Sequence, residues 1–166
     1  MDLGIKNKTA LVFGAGSGLG QAMAIALAKE GVKVALAGRN ITKLEETSQL
    51  IQAAGGKTFC IGWDLANLGI IDQNFGQVEK ELGPVDILVN NTGGPPPTTA
   101  ANQSAALWAE KFQEMVLSVI AITDRAIGGM KERGWGRIIT STSSGAITPI
   151  PNLAISNTLR ASLHAW

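Results

Sequence analysis

Short apolar segments alternate along the chain with longer segments of helical periodicity. The apolar segments are bounded by glycine or polar residues and are too short for helices, so they predict buried strands. The longer segments repeat apolar residues every three or four positions, which predicts amphipathic helices. The predicted strands are 9–13, 32–38, 57–63, 85–90 and 136–140. The predicted helices are 19–31, 41–56, 67–83, 104–130 and a closing helix in 151–166, where the chain ends. The spacing of this closing helix predicts that Leu159, Leu163 and Trp166 share one face.

The alternation of strands and helices predicts the fold class. Strands that are apolar on both faces are typical of a parallel sheet covered on both sides by helices. The sequence shows no internal repeat and no linker between domains, so a single domain over 1–166 is expected. We therefore predict an α/β fold with a doubly wound parallel sheet, a Rossmann-type three-layer α/β/α arrangement.

Composition and charge exclude several classes of protein. The chain has 14 basic and 13 acidic residues, a net charge of +1 and no basic patch, which argues against a nucleic-acid partner. Its apolar runs are too short to span a bilayer and its N-terminus lacks an apolar signal core, so we expect a cytoplasmic protein without a membrane partner. No metal site is predicted. Cys60 is the only cysteine, and we expect a buried, inert thiol.

A glycine-rich loop lies between the first predicted strand and its helix. Within 14–20, Gly14 allows a tight turn, Gly18 lets the backbone approach a pyrophosphate, and Gly20 lets helix and strand pack closely. The start of the helix then offers free N–H groups and the positive end of its dipole to phosphates. This context favours a dinucleotide-binding loop over its alternative, a glycine-rich turn without a ligand.

Four motifs in this sequence resemble those of the short-chain dehydrogenase/reductase family. The glycine spacing is G-x-x-x-G-x-G, "GWDL" follows the third strand, "VNNTGG" the fourth, and "RGWGRIITSTSS" covers the fifth. The resemblance extends over the chain from Thr9 onward, and it implies that Asp64 contacts the adenine of a dinucleotide. The cofactor-binding residues that we predict are Gly14, Ser17, Gly18, Leu19, Gly20, Arg39, Asp64, Leu65, Asn91 and Gly93.

The end of the second strand predicts which cofactor is used. An acidic residue there binds the ribose 2′-hydroxyl of NAD, whereas an arginine accommodates the 2′-phosphate of NADP. The sequence "AGRN" places Gly38 and Arg39 about 20 residues beyond the glycine loop, where the ribose-binding residue is expected. NADP(H) is therefore favoured over NAD(H), and the alternative is a solvated surface arginine.

The catalytic residues of the family are only partly present. The resemblance implies a serine that binds the substrate carbonyl, and Ser143 takes this position with Ser144 as a rival. It also implies a tyrosine general acid and a lysine four residues later, but these positions carry Ser156 and Arg160, and the chain contains no tyrosine. The family's asparagine on the long helix is replaced by Met115. The predicted catalytic set is Ser143, Ser156 and Arg160.

These replacements limit the expected chemistry. A phenol with a pKa near 10 can be activated by a neighbouring cation, whereas an aliphatic hydroxyl ionises far less readily. Ser156 should therefore be a poor general acid, while Arg160, which stays protonated, can still hydrogen-bond the nicotinamide ribose. Two alternatives remain. The pair is simply the polar face of an ordinary helix, or His164 is a displaced general acid, which we expect less because nothing else polar is arranged around it.

The sequence thus predicts an NADP-dependent oxidoreductase acting on a small carbonyl, alcohol or acyl compound, similar to 3-oxoacyl-carrier-protein reductases. The alternatives are a non-catalytic dinucleotide-binding homologue, acting as a sensor or partner subunit, and an inactive fragment of an enzyme. Family members continue beyond such a closing helix, so we expect the C-terminal part of the family fold to be missing and the fifth strand to be left as an edge. The helix at 104–130 is the family's usual subunit-pairing surface, which implies a homo-oligomer, a dimer or tetramer.

Overall fold

The computed structural model describes residues 2–166 and contains one parallel sheet with helices on both faces. The strands are β1 (Thr9–Phe13), β2 (Lys33–Gly38), β3 (Thr58–Gly62), β4 (Ile87–Asn90) and β5 (Arg137–Thr140). The helices are α1 (Gly18–Lys29), α2 (Ile41–Ala53), α3 (Ile71–Leu82), α4 (Ala105–Phe112), α5 (Ser118–Glu132) and α6 (Ala154–Ala165). The predicted elements are all present, with boundaries shifted by a few residues.

The strand order explains where a ligand can bind. The sheet runs β3-β2-β1-β4-β5, and every neighbouring pair is parallel. In the centre, Leu11 of β1 lies opposite Ala35 of β2 and Leu88 of β4. The order reverses at β1, because the chain leaves β1 in one direction toward β3 and then returns to form β4 on its other side. The predicted doubly wound sheet is confirmed, and its reversal point is the expected ligand crevice.

Two apolar layers cover the faces of the sheet. In one layer, Phe75 of α3 and Ile122 of α5 pack against Leu11 of β1. In the other, Ala24 of α1 and Leu44 of α2 pack against Val12 of β1. The five residues of β1 are all buried, as a central parallel strand requires.

A third apolar cluster attaches α6 to the helical layer. Leu159 and Leu163 of α6 pack there with Met115 and Val119. Trp166, which the helical spacing placed on the same face, is instead 53% exposed. The expected three-residue face is therefore correct for the two leucines and wrong for the tryptophan, which follows the last residue of α6.

The long helix predicted at 104–130 is interrupted. Ser104 caps α4 by accepting a hydrogen bond from the Leu107 amide at 3.1 Å, and the helical path continues to Glu132. Between α4 and α5, residues Gln113–Leu117 form a π-helical turn. A π turn adds one residue to a helical repeat, which apolar periodicity over a long segment does not resolve. The turn contains Met115, the position expected for a catalytic asparagine.

Strand β5 forms one edge of the sheet. Within residues 2–166 it pairs only with β4, so the predicted edge position is confirmed. Ile138 and Ile139 point to opposite faces of this strand and are 37% and 47% exposed. Exposed apolar residues on a sheet edge promote pairing with another chain.

Candidate active site

The loops that follow β1, β2, β3 and β4 surround a cavity of about 390 Å³. Parallel strands end at the same edge of a sheet, so the loops at their carboxyl ends converge there. Seven of the predicted cofactor-binding residues line this cavity: Gly14, Ser17, Arg39, Asp64, Leu65, Asn91 and Gly93.

The glycine loop and the start of α1 form one wall of the cavity. Gly18, the first residue of α1, has a φ of +56°, and no heavy atom lies within 4 Å of the position a Cβ would take. A Cβ on Gly20 would lie 2.2 Å from the Gly14 carbonyl oxygen, so only glycine fits there. Gly18, Leu19 and Gly20 do not themselves line the cavity, and the Leu19 side chain is 70% exposed.

The N-terminus of α1 keeps its hydrogen-bond donors available. Ser17 is the N-cap residue, but within residues 2–166 its hydroxyl makes no capping hydrogen bond to the helix. The first amides of a helix have no partner within the helix, and they carry the positive end of its dipole. This wall is therefore suited to an anionic group such as a phosphate.

Two cations lie at the β2 end of the cavity. Arg39 and Lys43 both line it, and neither forms an ion pair in the part of the chain that the structure describes. Asn40 caps α2 by accepting a hydrogen bond from the Lys43 amide at 3.1 Å, which brings the first turn of α2 next to Arg39. Lys43 and Asn40 were missed in the sequence analysis, although the capping asparagine in "GRNITK" is the signal that could have placed them.

Aromatic packing forms the floor below the β3 end. Trp63 meets Phe13 edge to face, with ring centroids 4.9 Å apart, and both rings line the cavity. The neighbouring Asp64 is exposed and accepts a hydrogen bond from the Ala66 amide at 3.1 Å. The sequence predicted Trp63 only as part of a strand, and no motif indicated its place at the cavity.

Two asparagines at the end of β4, Asn90 within the strand and Asn91 directly after it, fix that strand to its neighbours. The Asn91 side chain donates to the Phe13 carbonyl at 3.2 Å, which ties the loop after β4 to the end of β1. The Asn90 side chain donates to the hydroxyl of Thr123 on α5 at 3.1 Å. Thr92 also lines the cavity, and so does Glu114 from the π-helical turn. Neither residue was predicted from the sequence as a cofactor-binding residue.

The three predicted catalytic residues lie outside this cavity. Ser143 follows β5, and its hydroxyl accepts a hydrogen bond from the Gly145 amide at 3.0 Å. Ser156 lies half-buried in the first turn of α6, whereas Ser144 is exposed. Met115, where the family resemblance leads us to expect an asparagine, is buried among Ile155 and its apolar neighbours and presents a thioether there.

Arg160 is buried and bound to the backbone. Its guanidinium donates to the carbonyl of Ser141 at 3.0 Å and to the carbonyls of Thr92 and Gly93 at 3.4 and 3.2 Å. The side chain is 8% exposed, and burial lowers the pKa of the Arg160 guanidinium because it disfavours the charged form.

Two further sequence expectations change in the structure. His164 was expected to have no polar neighbour, but its Nε2 atom lies 2.9 Å from the Thr142 hydroxyl, on the loop that carries Ser143. Cys60 was expected to be a buried, inert thiol and is only half-buried, although burial raises the pKa of its thiol. His164 lies in the last turn of α6, and Cys60 lies in β3, which forms an edge of the sheet. Periodicity does not report which neighbours are present at such positions.

Among the residues described, no helix has the length and apolar character needed to cross a membrane. The same residues contain no group of three or more side chains that could hold a metal ion.

Comparison with known protein families shows which family this chain belongs to. Residues 8–157 match the family profile described as short chain dehydrogenase. The chain belongs to the short-chain dehydrogenase family. Among curated members of that family, it is 33% identical over 162 residues to the ketoacyl reductase HetN of Nostoc sp., an alignment that covers 98% of this chain and 56% of that protein.

Solved structures of the family give the same result. The L-sorbose reductase from Gluconobacter frateurii, complexed with NADPH and L-sorbose, superposes with a TM-score of 0.94 at 30% identity, over 99% of this chain and 63% of that one. An actinorhodin polyketide ketoreductase with NADPH gives a TM-score of 0.90 at 30% identity, over 99% and 64%. The chain therefore spans less than two thirds of the length of these relatives.

Proposed function

We propose that the cavity binds NADP(H) and that the protein is an NADP-dependent oxidoreductase acting on a carbonyl or alcohol substrate. The observation that carries this proposal is the convergence of the glycine loop, Arg39, Asp64 and Asn91 on one cavity at the reversal point of the sheet. It is supported by the similarity to a ketoacyl reductase and to two reductase structures that contain NADPH.

The residues of the cavity fit the parts of this cofactor. The uncapped start of α1 beside Ser17 suits the pyrophosphate, and the open space at Gly18 allows its close approach. Arg39 and Lys43 suit a 2′-phosphate, since an arginine fork binds phosphate oxygens in pairs and lysine adds a point charge. The wall formed by Asp64 and its neighbours takes the adenosine end.

Proton donation to the substrate carbonyl oxygen is the step that this chain is least equipped to catalyse. When bound, NADPH supplies the hydride, so the chain must supply a proton to the carbonyl oxygen. We assign Ser143 to binding that oxygen, and Ser156 stands where the general acid is expected. General acid catalysis contributes about 10²–10⁴ in rate, and an aliphatic hydroxyl provides little of it at neutral pH. We therefore expect slow turnover of small carbonyl or acyl substrates.

A non-catalytic dinucleotide-binding homologue is the second candidate function. It is favoured by two observations: Met115 presents no polar group at the asparagine position, and Arg160 directs its donors to backbone carbonyls. Both candidates bind NADP(H), and turnover separates them. A panel of ketones and acyl thioesters with NADPH would give measurable oxidation for the enzyme and none for the binding protein.

The cofactor proposal is tested by exchanging the residue at the end of β2. Removal of Arg39 in an Arg39→Ala variant should weaken NADPH binding by about 10- to 150-fold, because a charged hydrogen bond is worth about 1.5–3 kcal/mol. NADH binding should change little. Lys131→Ala is the matched control, since it removes one exposed cation at the end of α5, away from the cavity. Calorimetric titration measures the affinities of the three proteins for NADPH and for NADH, six in all. Equal affinity of the parent protein for NADPH and NADH would contradict the proposal.

A further inference from the structure

The contacts of Arg160 connect two loops and one helix. The guanidinium extends from α6 to the Ser141 carbonyl, just after β5, and to the Thr92 and Gly93 carbonyls, just after β4. These two strands are neighbours in the sheet, with Asn90 opposite Thr140. The arginine therefore bridges the carboxyl ends of strands β4 and β5, at the point where the backbone leaves the sheet after each strand.

The environment of Arg160 contains backbone dipoles in place of a counter-ion. Arg160 is only 8% exposed, yet within residues 2–166 no acidic side chain forms an ion pair with it. A buried cation is strongly unfavourable unless its donors are satisfied. The planar guanidinium has five donors in a fixed fork and can reach acceptors on two separate loops, which the single ammonium group of lysine does less well.

The segment bound by Arg160 has few other attachments. Asn91 ties its beginning to β1 through the Phe13 carbonyl, and the Thr98 amide ties its end to the Asn152 carbonyl at 2.8 Å. Between these points the chain forms no regular secondary structure, and it includes the triplet 95–97 of prolines, which have no N–H to donate. Thr92 and Gly93, the residues that line the cofactor cavity, are held by Arg160.

We propose that Arg160 is a positioning residue, whose guanidinium fixes the Thr92–Gly93 backbone in the shape that lines the dinucleotide cavity. This inference rests on the proposed function for the identity of the ligand. A positioning role of Arg160 differs in one measurable respect from a direct contact of Arg160 with the nicotinamide ribose. A direct contact affects only ligands that contain the nicotinamide half, whereas a displaced loop affects every ligand that occupies the cavity.

The experiment compares Arg160→Met with the parent protein. Hydrogen exchange in the cofactor-free protein reports the loops, through the Thr98 amide and the Ser141 amide, which donates to the Asn90 carbonyl at 2.8 Å. Titration with NADPH and with 2′,5′-ADP, which lacks the nicotinamide half, reports the cavity. Both amides should exchange faster in the variant, and both ligands should bind about tenfold more weakly, the equivalent of one charged hydrogen bond.

Two more variants make the result specific. Leu163→Ala removes another α6 side chain that is 8% exposed, so it should lower the melting temperature without changing 2′,5′-ADP affinity or local exchange. Arg160→Lys keeps the charge but not the fork, and its 2′,5′-ADP affinity should fall between those of the parent and Arg160→Met. It also provides the measurement if the methionine variant does not fold.

The outcomes separate this inference from the proposed function. Weaker NADPH binding with unchanged 2′,5′-ADP affinity and unchanged exchange at Ser141 and Thr98 would overturn the positioning role and indicate direct contact. A parent protein that binds neither ligand would contradict the proposed function, while the exchange rates would still decide whether Arg160 holds the loops. Unchanged exchange in both Arg160 variants would overturn the inference by itself.

Discussion

Replacing Gly20 by alanine tests how closely α1 packs against the loop after β1. A Cβ on Gly20 would lie 2.2 Å from the Gly14 carbonyl oxygen, 2.6 Å from the Gly14 carbonyl carbon and 2.9 Å from Asn91 Nδ2. Two of these atoms belong to the backbone, so the strain cannot be relieved by turning a side chain. Overpacking of this kind costs about 3 kcal/mol, the upper part of its usual range.

The gain in helix propensity offsets part of this cost. Alanine is about 1 kcal/mol better than glycine inside a helix, so the net loss for Gly20→Ala is about 2 kcal/mol. For a chain of this size, that loss lowers the melting temperature by about 4–8 °C. Gly76→Ala is the control, because Gly76 lies inside α3 and no heavy atom lies within 4 Å of its Cβ position. This variant should melt about 2–4 °C above the parent.

Scanning calorimetry of the three proteins measures these shifts. The same substitution in two helices should change the melting temperature in opposite directions, so the comparison isolates the contact with Gly14. If Gly20→Ala melts at or above the parent temperature, the close approach of α1 and the glycine loop is wrong. In that case the turn does not have the close-packed shape that lets a backbone approach a pyrophosphate.

Two other predictions concern catalysis and assembly. The double substitution Ser156→Tyr with Arg160→Lys should raise NADPH-dependent ketone reduction at saturating cofactor by at least about tenfold, a modest share of what a general acid contributes. Robust turnover by the parent protein that is unaffected by Ser156→Ala would contradict the assignment of Ser156 to the position of the general acid. The chain should self-associate through its β5 edge, where Ile139 is 47% exposed, and Ile139→Lys should shift light-scattering masses toward the monomer. A stable monomeric parent at high concentration would contradict that second prediction.

The fold could be predicted from local patterns because each strand is a short apolar run in the sequence. The five residues of β1 are apolar enough to be buried on both faces, and glycines or polar residues mark the ends of the strands. The π-helical turn at Gln113–Leu117 did not follow, since it changes the helix by one residue without breaking its apolar spacing. The exposure of Trp166 also did not follow, because periodicity continues past the last residue of a helix.

The candidate site was predictable where a motif is contiguous. Gly14 and Ser17 belong to one loop, and Arg39 lies at a fixed distance beyond it, so their meeting at one cavity follows from the strand order. Contacts between distant segments were not predictable. The pairing of His164 with Thr142 and the reach of Arg160 to the Thr92 carbonyl depend on how α6 packs, which no local pattern encodes.

A crystal structure of the chain grown with saturating NADPH shows whether the cavity at the start of α1 binds the dinucleotide. We predict the pyrophosphate at the start of α1, against Ser17 and Gly18, and the 2′-phosphate within hydrogen-bond distance of Arg39 or Lys43. Nucleotide bound at any other surface, or the 2′-phosphate turned away from both cations, would contradict this prediction.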